Sequence, residues 1–141
     1  MTIRISDVSV GMELPALDLA FTRADLVAYA NASGDQNPIH QDEEFAKSVG
    51  LPDVIAHGML TMGRAIQVVT NWVGDPTAVI DYSVRMTRPV VVPNTADGSV
   101  VSFTGKVAQI NDDGTVQVDL GAVFGDTKVL GLAKATVRLA Q

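Results

Sequence analysis

"SGDQNPIH", residues 33–40, brings together the side chains best suited to proton chemistry in this chain. Asp35, Asn37 and His40 fall within six residues, and Gly34 and Pro38 restrict the backbone around them. Gly34 opens backbone angles closed to other residues. Asp35 and Asn37 are turn formers that hydrogen-bond locally. Pro38 fixes its own φ and biases Asn37 toward an extended form. A stiff loop of this kind can hold Asp35 and His40 at a set distance. An imidazole, with an unperturbed pKa of about 6.5, is suited to proton transfer, and a carboxylate beside it can share the task or orient a water. Two other readings fit the same residues. The run could be only an elaborate turn with His40 on the surface, or His40, Asp42, Glu43 and Glu44 could bind a metal. The three acids also suit a helix start, where negative charge is favoured.

A second feature is "IAHGML", residues 55–60. Gly58 falls at the expected start of a long helix, where free amides and the positive dipole end favour an anion or a developing oxyanion. His57 beside it reads as a structural hydrogen-bonder in support of the site, rather than a second base.

The elements that must hold these residues follow from the pattern. "FTRADLVAYANASG" predicts a helix with Thr22 and Asp25 as a capping box and Gly34 past its end. "QDEEFAKSVG" predicts a short helical turn. "HGMLTMGRAIQVVTNWVGDP" predicts one long buried helix, with Met59, Met62, Ile66, Val69 and Val73 as a stripe and Gly74, Asp75 and Pro76 as its stop. Four β-rich segments follow: "AVIDYSVRMTRPVVVP", "GSVVSFTGKVAQI", "GTVQVDLGAVFG" and "TKVLGLAKATVRLA", with hairpin turns at "NDDGT" and "GDTK". The expected class is α+β, an antiparallel sheet curled around one helix, with residues 1–141 as one domain.

Composition narrows the function. The 141 residues are 47% hydrophobic and contain no cysteine, which removes disulfides, thiolate metal sites and cysteine nucleophiles. The net charge of −6 argues against nucleic-acid binding. Residues 1–81 carry four basic and eleven acidic side chains, and residues 82–141 six basic and five acidic. Arg85, Arg88, Lys106, Lys128, Lys134 and Arg138 are therefore candidates to meet an acidic or phosphorylated carrier. No secretory leader and no membrane span is expected, and the cytoplasm is the expected location.

"YANASGDQNPIHQDEEFA" and "IAHGMLTMG" together resemble the hydratase signature of the MaoC-like, (R)-specific enoyl-thioester hydratases and dehydratases. "VGMELP", "WVGDP" and "PVVVPN" are similar to the B-subunit branch of the mycobacterial (3R)-hydroxyacyl-ACP dehydratases. The resemblance implies a hot-dog fold, a homodimer or a heterodimer with another hot-dog subunit, and interconversion of trans-2-enoyl and (3R)-3-hydroxyacyl thioesters of CoA or acyl carrier protein. It implies Asp35 and His40 as the catalytic pair, Asn37 as loop support, the Gly58 amide as oxyanion donor, and neither cofactor nor metal. Where some relatives place a serine in the long helix, this chain has Ile66. A stand-alone (R)-specific enoyl-CoA hydratase, a non-catalytic acyl-binding subunit and a hot-dog thioesterase are the rival readings.

Overall fold

The computed structural model describes residues 2–141. Its elements run β1 (Leu17–Phe21), α1 (Arg23–Ser33), α2 (Glu43–Ser48), α3 (Gly58–Ala65), α4 (Gln67–Val73), β2 (Val79–Met86), β3 (Ser99–Ile110), β4 (Thr115–Phe124), β5 (Thr127–Lys128) and β6 (Leu130–Arg138). The strands form one antiparallel sheet in the order β1-β3-β4-β6-β2, with β5 paired to β4. The α+β class and the sheet on a central helix are as expected.

The inward side chains of β3 and β4 alternate cleanly with outward ones. Val101, Phe103 and Val107 on β3 and Val116, Val118, Leu120 and Ala122 on β4 are buried, which is the period of two expected of a sheet with one covered face. The apolar alternation of "VSFTGKVAQI" is interrupted by Gly105, a small residue at an inward position, and by a register shift between Val107 and Gln109. A Cβ at Gly105 would lie 2.9 Å from Val68 Cγ1 of α4, so helix and sheet pack closely at this glycine.

Three expectations are corrected. The long helix is two, α3 and α4, meeting at Ile66, where the Ile66 amide reaches Met62 O at a long 3.3 Å. Tyr82 on β2 donates its hydroxyl to that same Met62 carbonyl at 2.6 Å, so a sheet side chain shares the acceptor at the junction. The buried face of this pair is Thr61, Ala65, Val68, Val69 and Val73, whereas Met59 is exposed. The second correction is β1, a strand that the helical reading of the first half omitted; Leu17, Leu19 and Phe21 alternate inward along it and it pairs with β3. Third, "AVIDYSVRMTRPVVVP" is not one strand. It leaves the sheet after Met86, since Pro89 and Pro93 have no amide to donate. Val90–Val92 instead bonds to Val54–Ala56, through Ala56 N to Val90 O and Val92 N to Val54 O, both 2.8 Å.

The capping predictions hold. Thr22 and Asp25 form a reciprocal box, and Gly34 ends α1 at φ 82°, a left-handed turn that glycine makes without strain.

Candidate active site

The loop after α1 is built from two successive side-chain turns. Asp35 Oδ1 accepts the Asn37 amide at 3.1 Å, and Asn37 Oδ1 accepts the Ile39 amide at 3.2 Å. Asn37 caps the short 3-10 turn Pro38–His40. A brace not foreseen from sequence crosses its outer side: Gln41 donates to Gln36 and Gln36 to Asn31 of α1.

This loop presents Asp35 Oδ2 to His40 Nε2 at 3.9 Å. That is too long for a direct hydrogen bond and short enough for one oxygen atom to touch both. Asp35 is half exposed while the His40 side chain is buried, so the surface reading of His40 is set aside. His40 Nδ1 lies 2.7 Å from the Ile55 carbonyl. A carbonyl only accepts, so Nδ1 carries a proton, and in the neutral ring this leaves the lone pair of Nε2 facing Asp35.

His57 lies behind the pair. Its Nε2–H donates to the Asp35 backbone carbonyl at 3.1 Å, its ring meets Tyr29 edge-on at 4.7 Å, and Nδ1 is buried without a partner among the described residues. Burial first, and then the neighbouring His40, hold its pKa below the usual imidazole range against the pull of the Asp35 carbonyl. His57 is therefore a neutral structural donor.

Gly58 opens α3, so its amide has no partner within the helix. It lines a mostly apolar cavity of about 350 Å³ together with His40, Ala56, Thr61, Met86 and Val129. A Cβ at Gly58 would sit 3.2 Å from Met86 Sδ, so the absent side chain keeps this wall open. Sequence reasoning missed Thr61 and Met86; the one is a polar residue on a helix face and the other comes from a distant strand. Of the six basic candidates, Arg88 lines the cavity. Lys106 instead lies beside Glu13 and Asp119, and Arg138 donates to the Asp113 carbonyl. Ile66 sits at the α3–α4 junction and does not line the cavity.

The metal set read from sequence is not assembled. Asp42 caps α2 through the Phe45 amide and Glu43 pairs with Lys47. The group of potential ligands within 4.8 Å of one another, among the described residues, is Asp35, His40 and His57. His57 Nε2 is already committed and its Nδ1 is buried. Asp35 Oδ2 and His40 Nε2 remain, fewer than the three protein ligands of a catalytic zinc site.

Residues 7–123 match the family model described as a MaoC like domain. The chain belongs to this family. The 3-hydroxyacyl-thioester dehydratase X of Mycobacterium tuberculosis (strain ATCC 25618 / H37Rv) is 44% identical over 82 residues, 58% of this chain and 28% of that protein. The peroxisomal enoyl-CoA hydratase 2 of Arabidopsis thaliana is 50% identical over 60 residues, 41% of this chain and 19% of that protein. A solved MaoC-like dehydratase superposes with a TM-score of 0.94 at 46% identity, over 99% of this chain and 43% of that one. The MaoC-like chain thus spans under a third of these two relatives and under half of the solved structure. The hot-dog architecture implied by the sequence is the one observed.

Proposed function

We propose that this MaoC-like chain is a hydro-lyase that interconverts trans-2-enoyl thioesters and (3R)-3-hydroxyacyl thioesters, in the dehydratase step of fatty-acid elongation. The observation that carries the proposal is the facing of Asp35 Oδ2 and His40 Nε2, 3.9 Å apart, with His40 and Gly58 on one apolar cavity. Relatives named as hydratases and dehydratases support it.

Both facing atoms are acceptors. A water between them donates a proton to each and keeps a lone pair for C3 of the enoyl group. As the C3–O bond forms, one of the pair takes a water proton, and the C2–C3 π electrons move toward the thioester carbonyl. The developing oxyanion is met by the Gly58 amide at the positive end of α3. Return of a proton from the pair to C2 completes addition of one water, and dehydration runs the same steps backward. The thioester itself acidifies C2, so the scheme uses no cofactor or metal.

The carrier is CoA or acyl carrier protein. Arg88 is the basic residue at the cavity that favours a polar or phosphorylated carrier arm. Pairing with a second hot-dog subunit, identical or not, is supported by edge strand β2 and by exposed Ile80, Met86 and Leu132 around the β2–β6 end of the sheet.

The test is loss of the conjugated-thioester absorbance of a short trans-2-enoyl-CoA. The wild type is expected to consume it without releasing thiol and without inhibition by a chelator. His40→Ala and Asp35→Asn are expected to lose roughly 10²- to 10⁴-fold in rate, the worth of positioned acid–base groups. Thiol release would identify a thioesterase instead, and unchanged rates in both variants would reject the pair.

A further inference from the structure

The His40 ring is only as well placed as the Ile55 carbonyl that fixes its Nδ1 proton. Ile55 lies in the irregular segment Val54–Ala56 and His40 in a single 3-10 turn, so neither is held by a long element. One side chain reaches the chain on both sides of this bond. Arg23 Nη2 lies 2.6 Å from Asp53 Oδ1, just before that segment, and 3.6 Å from Glu43 Oε2, three residues after His40. Its Nε donates to the Val92 carbonyl at 2.7 Å, on the strand-like stretch that bonds to Val54 and Ala56. Asp53 Oδ1 also accepts the Val54 amide at 2.6 Å, and the Ile55 amide donates to Ile39 O at 3.2 Å.

Taking the hydratase reading as its basis, we propose that Arg23 is a positioning residue for the reaction, acting through Asp53 and the Val54–Ala56 segment on the His40 ring. Local structure alone disfavours it. Arg23 is the first residue of α1, where the helix dipole opposes a cation. Its side chain is only 18% exposed, so solvent does not explain its presence. Its tertiary partners do. The planar guanidinium meets a carboxylate and a carbonyl in one plane-directed fork, which a lysine ammonium does not reproduce. Arg23 does not line the cavity. Its loss should therefore misplace the imidazole while leaving substrate binding intact.

The experiment compares Arg23→Lys, Asp53→Asn and Arg23→Ala with the wild type. It measures kcat and KM on a short trans-2-enoyl-CoA, the pH–rate profile, and the ring nitrogen NMR signals of His40. The expected result is a fall in kcat on the order of 10²-fold, the scale of a misplacement of about 1 Å, with KM unchanged. The single Nδ1–H tautomer of His40 should give way to a mixture, and the pH–rate profile should change. Folded variants with wild-type kcat and an undisturbed His40 spectrum would overturn the proposal, even if their melting temperature fell. If Arg23→Ala does not fold, Arg23→Lys and Asp53→Asn decide. If the wild type shows no hydratase activity, the functional reading fails, while the His40 spectra still decide whether Arg23 positions the ring.

Discussion

His40 and His57 stack ring on ring, with centroids 3.8 Å apart and planes at 24°. Two imidazolium ions could not share this arrangement without repulsion. The deeper ring, His57, is the one whose charge is excluded, by burial first and by His40 second. His40 therefore has a neutral platform beneath it, and that platform also holds the Asp35 carbonyl.

Stability should accordingly depend on pH through His57. Its folded pKa lies below the ordinary imidazole value of about 6.5, so the unfolded chain binds the extra proton. The contribution is present above about pH 6.5 and is lost as pH falls through that value toward the folded pKa. The groups facing the His57 ring are Asp35, His40 and Tyr29. Urea unfolding at pH 7.5, 6.5 and 5.5 should show falling stability in the wild type and a shallower fall in His57→Gln, which cannot titrate. Equal slopes would contradict the assignment.

Gly58 offers a separable test of the cavity wall. A Cβ there would meet Met86 Sδ at 3.2 Å, and Met86 is itself half exposed and flexible. Gly58→Ala should fold normally but lose about 10-fold or more in kcat/KM, since a crowded approach weakens the oxyanion contact proposed for its amide, a kind of contact worth about 3 kcal/mol. Gly58→Ala combined with Met86→Ala should recover much of that loss. No recovery would show that the methyl group obstructs the thioester itself and not Met86.

Legibility in the sequence followed the range of the interactions. The loop Gly34–His40 could be read because its hydrogen bonds join residues two or three apart, as between Asp35 and Asn37. The cap of α1 by Thr22 was legible for the same reason. The His40 tautomer was not, because it rests on Ile55, fifteen residues away. Nor was the break at Ile66, where the Met62 carbonyl also accepts from Tyr82 of a strand. Strand β1 was missed although Leu17, Leu19 and Phe21 alternate, because five residues are too few to stand out beside helix α1. Pairing with β3 settles it.

Tyr82 tests that break. Its hydroxyl is bonded to Met62 O, and burial pushes its pKa up to about 12. Tyr82→Phe should cost about 1 kcal/mol in unfolding free energy, the net worth of one hydrogen bond. A folded pKa above the unfolded value of 10.0 means stability fully present below pH 10 and lost as pH rises toward 12. An alkaline absorbance titration of the wild type should show a phenol ionising only near pH 12, and that step should be missing in Tyr82→Phe. An equally stable Tyr82→Phe would remove the tie between β2 and the helix junction.

Gly105 tests how closely helix and sheet approach. The nearest neighbour to an added Cβ is Val68 Cγ1 at 2.9 Å, and Val68 is a buried, β-branched side chain with few rotamers to escape into. Leu14 Cδ2 at 3.3 Å and Leu120 Cδ2 at 3.4 Å close the remaining directions. Gly105→Ala favours the strand locally, since alanine loses less backbone entropy than glycine by roughly 0.5–1 kcal/mol. Overpacking of a tight core costs about 1–3 kcal/mol and should dominate. The expected result is a net loss on the order of 1 kcal/mol, measured by urea unfolding. Val68→Ala alone should lose stability by leaving a cavity, but in the double variant the new methyl occupies part of that space, so the two effects should sum to less than their parts. Strict additivity would mean that α4 shifts as a body away from β3. In that case the site would feel the change, because α4 continues into α3 and Gly58.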